Sequence, residues 1–488
     1  MDNKSFENKK ISSSAEGLIL DLNTIMGSPS GVLINRIEVS GIKCILLSFD
    51  GMTSLQTMTQ LILRPLEEIG IRRATPYELK SHIKSKMIFS NDTIECFTYG
   101  EMITKLMSGF VFLFIDKTEG VMGYGVQGFE KRTITEPSSE TALKGGREGF
   151  TEAINTNICL IRRRVKSPSL RFERMTIGEK SRTDISLVYF SDKADKKMIE
   201  KVKEKLSETE LETVLSSGYI KPFLESENFG FFDTVGSTER PDVLCGKILE
   251  GRIAVLIDGN PYALIIPYLF TENFQTIDDY SSRPFYAFFI RMIKIVGFII
   301  SVLLPSVYVA VATYHPEFFN EKLLLILAKA ESEAPLPLFA EGFIMLLLYE
   351  LIKESAIRLP KAIGGTVGIV GGLIIGDAAV SSGIVSTPLL IAVALSVTAS
   401  FVIPTLTESI TLLRFVFLAA GSVGGLFGIA IILSLVLFNI TSEDNMGIPY
   451  FAPVSPFVKR SMGDTVIRLP FRKLQKRNFN INSFKEKK

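Results

Sequence analysis

Three stretches of this chain stay uncharged for longer than a soluble fold tolerates: residues 295–316 (22), 378–407 (30) and 415–442 (28). A helix needs about 20 apolar residues to cross the hydrocarbon core of a bilayer. Between residues 295 and 440 only 15 of 146 side chains are charged, against 22% for the whole chain. Charge is therefore segregated, which excludes a single water-soluble globule, and the 47% hydrophobic content excludes wholesale disorder. The expectation is a soluble front and a membrane-embedded rear. A net charge of +2 gives no reason to expect nucleic acid as a partner.

Residues 1–14 are polar, and the first apolar stretch, 17–26, contains Asp21 and Asn23 without a small-residue cleavage site, so no signal peptide is read here. The front is expected to stay on the cytoplasmic side. The four cysteines form no CxxC pair, and the two histidines, His82 and His315, are far apart. No metal site, cofactor or catalytic set can be assembled from that inventory, and an enzyme is not expected.

In the rear half two more segments are apolar but ambiguous. Residues 336–352 carry Glu341 and Glu350, and 363–375 is short and ends at Asp377. The tail after residue 442 is rich in Lys and Arg, and Arg283, Arg291 and Lys294 precede the first span. Both flanks thus read as cytoplasmic, and the number of crossings as even. Four is the preferred count; six requires the long runs to be split. With no Trp in the chain, an interfacial belt would rest on Phe285, Tyr286, Phe288, Phe289, Tyr450 and Phe451.

Ionisable groups in hydrocarbon are costly and usually paired or facing water. The charged residues at stake are Glu341, Glu350, Lys353, Glu354, Arg358, Asp377, Glu408 and Arg414. Of these, Glu341, Glu350, Glu354, Arg358, Asp377 and Glu408 are the ion-path or gating candidates. Gly364, Gly368, Gly372 and Gly376 recur every four residues, and Gly421 with Gly425 repeats the spacing. Small residues on one helix face let backbones approach in lipid. They mark either packing within the chain or a face between subunits.

The front half alternates strand and helix signals. Residues 43–49, 110–116, 184–190 and 252–258 read as buried strands. A shift of 142 places Lys105 on Lys247, Gly109 on Gly251 and Asp116 on Asp258. The reading is an internal duplication, hence two α/β lobes. The expected organisation is a polar segment (1–35), lobe 1 (36–150), lobe 2 (151–280), an all-α transmembrane domain of about four to six helical segments (281–440) and a basic cytoplasmic tail (441–488). The run Arg162, Arg163, Arg164 would either hold acidic headgroups or pair with Glu136, Glu140 and Glu148.

Five blocks resemble a known family. EPSSETALKGGREGF opens the first (136–170) and TERPDVLCGKILEG the second (238–267); the others are 303–317, 353–386 and 447–457. Their order and content resemble the spore germinant-receptor A-subunit family, the GerA type. Its motif residues would here be Glu136, Pro137, Glu140, Arg147, Arg162, Arg163, Arg164, Glu239, Arg240, Pro241 and Asp242. The resemblance implies a multi-pass protein of the spore inner membrane, with the front domain and tail on the core side. It also implies a transporter-like B subunit and a lipoprotein C subunit as partners, and self-assembly into a germinant-gated ion channel. The alternatives are a non-conducting scaffold for that complex and an A-type subunit accompanying dipicolinic-acid release.

Overall fold

The computed structural model describes residues 6–27, 31–69, 74–86, 89–90, 92–126, 128, 136–137, 139–225, 230–360, 372, 374, 376–459, 461–474 and 479–485. The front half holds two five-stranded sheets. The first contains β1 (Val32–Val39), β2 (Ile42–Phe49), β3 (Thr93–Cys96), β4 (Phe110–Ile115) and β5 (Val121–Gly125) in the order β1-β2-β4-β5-β3. The second contains β6 (Leu170–Ile177), β7 (Thr183–Phe190), β8 (Gly236–Thr238), β9 (Ile253–Ile257) and β10 (Ala263–Ile266) in the order β6-β7-β9-β10-β8. All pairings are antiparallel, and the second order repeats the first strand for strand. The duplication read from the sequence is thus present as repeated topology.

The continuous apolar runs follow from cover on both faces. In lobe 1, Ile45, Leu47, Phe112 and Phe114 pack on α1 (Ala15–Met26) and α3 (Tyr99–Leu106). The alternate residues Cys44, Leu46, Val111 and Leu113 pack on α2 (Pro76–Lys86) and the helical stretch 55–67. Lobe 2 repeats the scheme. One face meets α4 (Ile154–Arg164) and α7 (Pro241–Leu249); the other meets α5 (Lys196–Ser207) and α6 (Ser217–Leu224). Matching carboxylates lock the matching helices: Asp116 Oδ1 accepts from the Ala15 amide at 2.9 Å, and Asp258 Oδ1 from the Ile154 amide at 3.0 Å. Gly109 and Gly251 precede the central strands with φ of 88° and 90°, which glycine adopts without a side-chain clash.

The structure draws residues 15–27 and 31–35 into lobe 1. Leu18, Leu22 and Met26 sit in its core, because one face of an otherwise polar segment is apolar at helical spacing. At the other end, residues 444–452 and 479–485 lie against lobe 2: Ile448, Ala452, Ile481 and Phe484 belong to its core, and Lys485 pairs with Asp195.

The rear is helical: α8 (Pro284–Tyr314), α9 (Glu321–Ser332), α10 (Leu338–Arg358), α11 (Thr387–Ser400) and α12 (Thr407–Ser442). Among the described residues, two stretches, Pro284–Tyr314 and Pro404–Ser442, are long and apolar enough to cross a membrane by length and composition. The second is not straight. Gly425 has φ 58° and ψ −146°, outside helical space. Ser409 Oγ donates to the Phe231 carbonyl at 2.6 Å, while the Phe231 amide donates to Asn439 Oδ1 at 3.3 Å. A straight helix would hold Ser409 and Asn439 about 45 Å apart. The segment therefore folds back at Gly425 into two antiparallel arms of 18 and 17 residues (407–424 and 426–442), and the 28-residue run read as one span is split between them. Tyr314, at the end of α8, closes the tip: its hydroxyl donates to the carbonyls of Ser422 (2.6 Å) and Val423 (3.2 Å), which the turn leaves without helical partners.

Tyr450 and Phe451 do not join an aromatic belt. Tyr450 is buried and Phe451 packs beside it among Phe232, Phe270 and Phe298. The chain turns back towards lobe 2 after α12, and apolar rings there seal the joint between the two halves.

Candidate functional site

A guanidinium in an apolar bundle needs a donor-matched environment. Arg414, on the first arm of α12, is 2% exposed. Its Nε donates to the Ser301 carbonyl at 3.0 Å and its Nη2 to the Ser396 carbonyl at 3.4 Å. Nη1 lies 4.0 Å from Glu350 Oε1. Glu350 also accepts from Thr411 Oγ1 (3.1 Å) and Lys353 Nζ (2.7 Å). One cluster thus ties α8, α10, α11 and α12 together.

The other candidates separate. Glu341 is 1% exposed, and its Oε2 accepts from the amide of Ser386, the residue that opens α11, at 2.8 Å. Glu354 and Arg358 are exposed and pair with each other one turn apart. Asp377 is exposed on a helical stretch, 376–381. Glu408 is exposed at the base of the α12 arms and lines a cavity of about 210 Å³ with Glu225, Asp233 and Glu443. Burial, opposed by Lys221 and reinforced by the neighbouring acids, pushes the Glu225 carboxyl up from its ordinary range. The six candidates thus form no single path within one chain.

The glycines divide as well. Gly364 and Gly368 lie outside the described residues. A side chain at Gly372 or Gly376 would meet nothing within 4 Å, whereas at Gly421 a Cβ would stand 2.8 Å from the Ser306 carbonyl oxygen. At Gly425 it would stand 3.2 Å from the Tyr314 ring. Gly421 and Gly425 therefore serve packing within the chain.

A second polar centre lies at the neck between lobes and helices. Arg291, fully buried on α8, donates to Asp279 Oδ2 (2.7 Å) and to the carbonyls of Asp464 (2.7 Å) and Thr465 (3.0 Å). Tyr280 donates to Asp464 Oδ2 at 2.9 Å. The end of lobe 2, the start of α8 and the tail thus share one desolvated ion network.

The sequence motifs of the front half come together at the edge of lobe 2. Arg147 pairs with Glu136, and Arg163 and Arg164 both pair with Glu148. Glu140 accepts from Thr238 Oγ1 at 2.6 Å, and Arg240 clasps Asp242 and the carbonyls of Glu140 and Gly146. The Ser139 amide donates to Glu239 at 3.2 Å. Pro137 is buried, and Pro241 sits in the first turn of α7, where a missing N–H costs nothing. Burial raises the Glu140 carboxyl to about 7. Arg162 instead spans the two lobes, stacked 4.1 Å from the Phe49 ring and 4.5 Å from that of Phe172.

The Bacillus/Clostridium GerA spore germination protein family matches residues 21–479. The chain belongs to the GerA family. Spore germination protein KA of Bacillus subtilis is 34% identical over 97% of this chain and 87% of its own length. Spore germination protein GerLA of Bacillus cereus is 33% identical over 91% of both chains. The uncharacterized membrane protein YfkQ of Bacillus subtilis is 36% identical over 76% of this chain and 73% of its own. Among solved structures, the N-terminal domain of the A subunit of the Bacillus megaterium spore germinant receptor GerK3 aligns at 26% identity. It covers 54% of this chain and 98% of that one, with a TM-score of 0.42.

In this GerA chain the two front-half blocks are neighbours in space, since residues 139–146 lie along residues 238–242. Sequence reasoning left Arg414 and Arg291 off its site list. The signal available was each residue's place, one between two uncharged runs and one just before the first. Arg414 meets the carbonyl of Ser301, 113 residues away, and Arg291 that of Asp464, 173 residues away, and no local pattern reports those contacts.

Proposed function

We propose that this chain is the A subunit of a nutrient germinant receptor in the spore inner membrane. It acts there, without catalysing a reaction, beside transporter-like B and lipoprotein C subunits. Several copies assemble so that their helical domains enclose an ion path, whose opening on nutrient binding starts germination. The family match along nearly the whole chain supports the setting. Docking of the tail on lobe 2 supports an even number of crossings with lobes and tail on the core side. The α12 arms count as two of those crossings.

The observation that carries the oligomeric channel is the open face at Gly372, Gly376 and Asp377. In lipid a small-residue helix face gains by close packing, and no described residue lies against these glycines. The test is conductance of the purified full chain in planar bilayers. Wild type is expected to conduct, and Asp377→Asn to change cation selectivity or flux. A chain that assembles normally yet conducts nothing would reduce the protein to a scaffold.

A further inference from the structure

The first helix is longer than a bilayer requires. Its 31 residues rise about 46 Å, against roughly 30 Å of hydrocarbon, and its charge-free part begins only at residue 295. The first turns therefore stand in the neck, below the lipid tails. Yet Phe285 is 90% exposed there, and Phe289, one turn on, is exposed on the same side of the helix. Leu143, 91% exposed, is tied to the segment just before α8: the Asp278 carboxylate accepts from the amides of Leu143 (3.1 Å) and Lys144 (3.0 Å), and Ser281 Oγ donates to the Lys144 carbonyl (3.2 Å). Exposed Lys144 and Arg283 outnumber Asp278 and leave this patch net basic. Phe285 stands ten residues, about 15 Å, before the charge-free part and so below the headgroups, outside the interfacial belt expected from the sequence, and a large exposed ring there calls for a protein cover.

A patch of opposite charge occurs at the same neck. Glu408, Glu443 and Asp233 line the cavity at the base of the α12 arms; Lys221 pairs with Asp233, the other acids leave the cavity net acidic, and Phe223, exposed on α6, stands two residues before Glu225 on its wall. We propose that these are the two halves of one self-association surface: the basic aromatic patch of one copy seats on the acidic patch of the next. This rests on the oligomeric reading above. Copies inserted in one membrane with the same orientation are related by axes along its normal. A patch meeting its own copy would oppose like charges, so each basic patch faces an acidic one, and the contact repeated head to tail about such an axis closes into a ring.

The experiment is charge reversal in the full chain reconstituted in lipid nanodiscs, with mass read by native mass spectrometry or light scattering. Arg283→Glu and Glu408→Lys, both surface changes, are each expected to lose the oligomer. The variant carrying both is expected to recover it, because the salt pair is restored with reversed polarity. Phe285→Ser should also lose it. Singles that keep wild-type mass, or a double variant no better than either single, would overturn the proposed surface while leaving the oligomer standing. A wild-type chain that is itself monomeric in nanodiscs would remove the oligomeric reading, and this surface with it.

Discussion

Gly425 offers a test whose sign, and not only its size, decides the fold of the rear half. If residues 407–442 formed one straight helix, replacing an interior glycine by alanine would stabilise it by up to about 1 kcal/mol. In the folded-back form, Gly425 sits at φ 58° and ψ −146°, a region open essentially to glycine, and an added methyl would press to 3.2 Å on the Tyr314 ring. Holding alanine in so sparse a region costs about 1–3 kcal/mol. Gly424, one residue earlier, is the internal control. A Cβ there meets nothing within 4 Å, so Gly424→Ala should gain about 1 kcal/mol. For a unit the size of this helical domain, 1 kcal/mol moves the midpoint by roughly 2–4 °C. Gly425→Ala should then melt about 2–12 °C below wild type, and Gly424→Ala a few degrees above it. The assay is circular dichroism of the detergent-solubilised chain, because a protein without Trp gives little intrinsic fluorescence. Stabilisation by both substitutions would refute the hairpin and restore a single long span.

Three further outcomes follow from the site geometry. Arg291→Gln leaves Asp279 buried without its cation, a loss of about 3–5 kcal/mol for a broken buried pair; hydrogen exchange across residues 444–485 should speed up, and unchanged exchange would mean that the tail is held elsewhere. Glu140, raised to about 7 by burial, binds its proton more tightly folded than unfolded, so it favours the fold at low pH and that contribution is lost as pH rises through about 7. Lobe stability should therefore fall between pH 5 and 8, and Glu140→Gln should flatten the slope; identical slopes in both proteins would assign the effect to other groups. Glu354→Gln, which opens an exposed pair, should change thermal stability by no more than about 0.5 kcal/mol, whereas Glu350→Gln, beside buried Arg414, should cost clearly more. Equal effects would deny the Arg414 cluster its structural role.

What the sequence determined by itself was the division of environments. Uncharged runs separate a rear half from a charged front, apolar runs such as residues 110–115 announce strands covered on both faces, and the 142-residue shift that pairs Asp116 with Asp258 announces two lobes of one design. These are legible because burial and repetition leave their mark residue by residue along the chain. Direction and partnership do not. An uncharged run of 28 residues suits one long helix or two short arms equally well, since hydropathy records the solvent and not the path through it. Only the tertiary fold placed Ser409 and Asn439 on the same residue, returned the tail to lobe 2, and gave Arg291 and Arg414 oxygen partners from distant segments. Those contacts exist only once the helices have packed, so no window of neighbouring residues contains them.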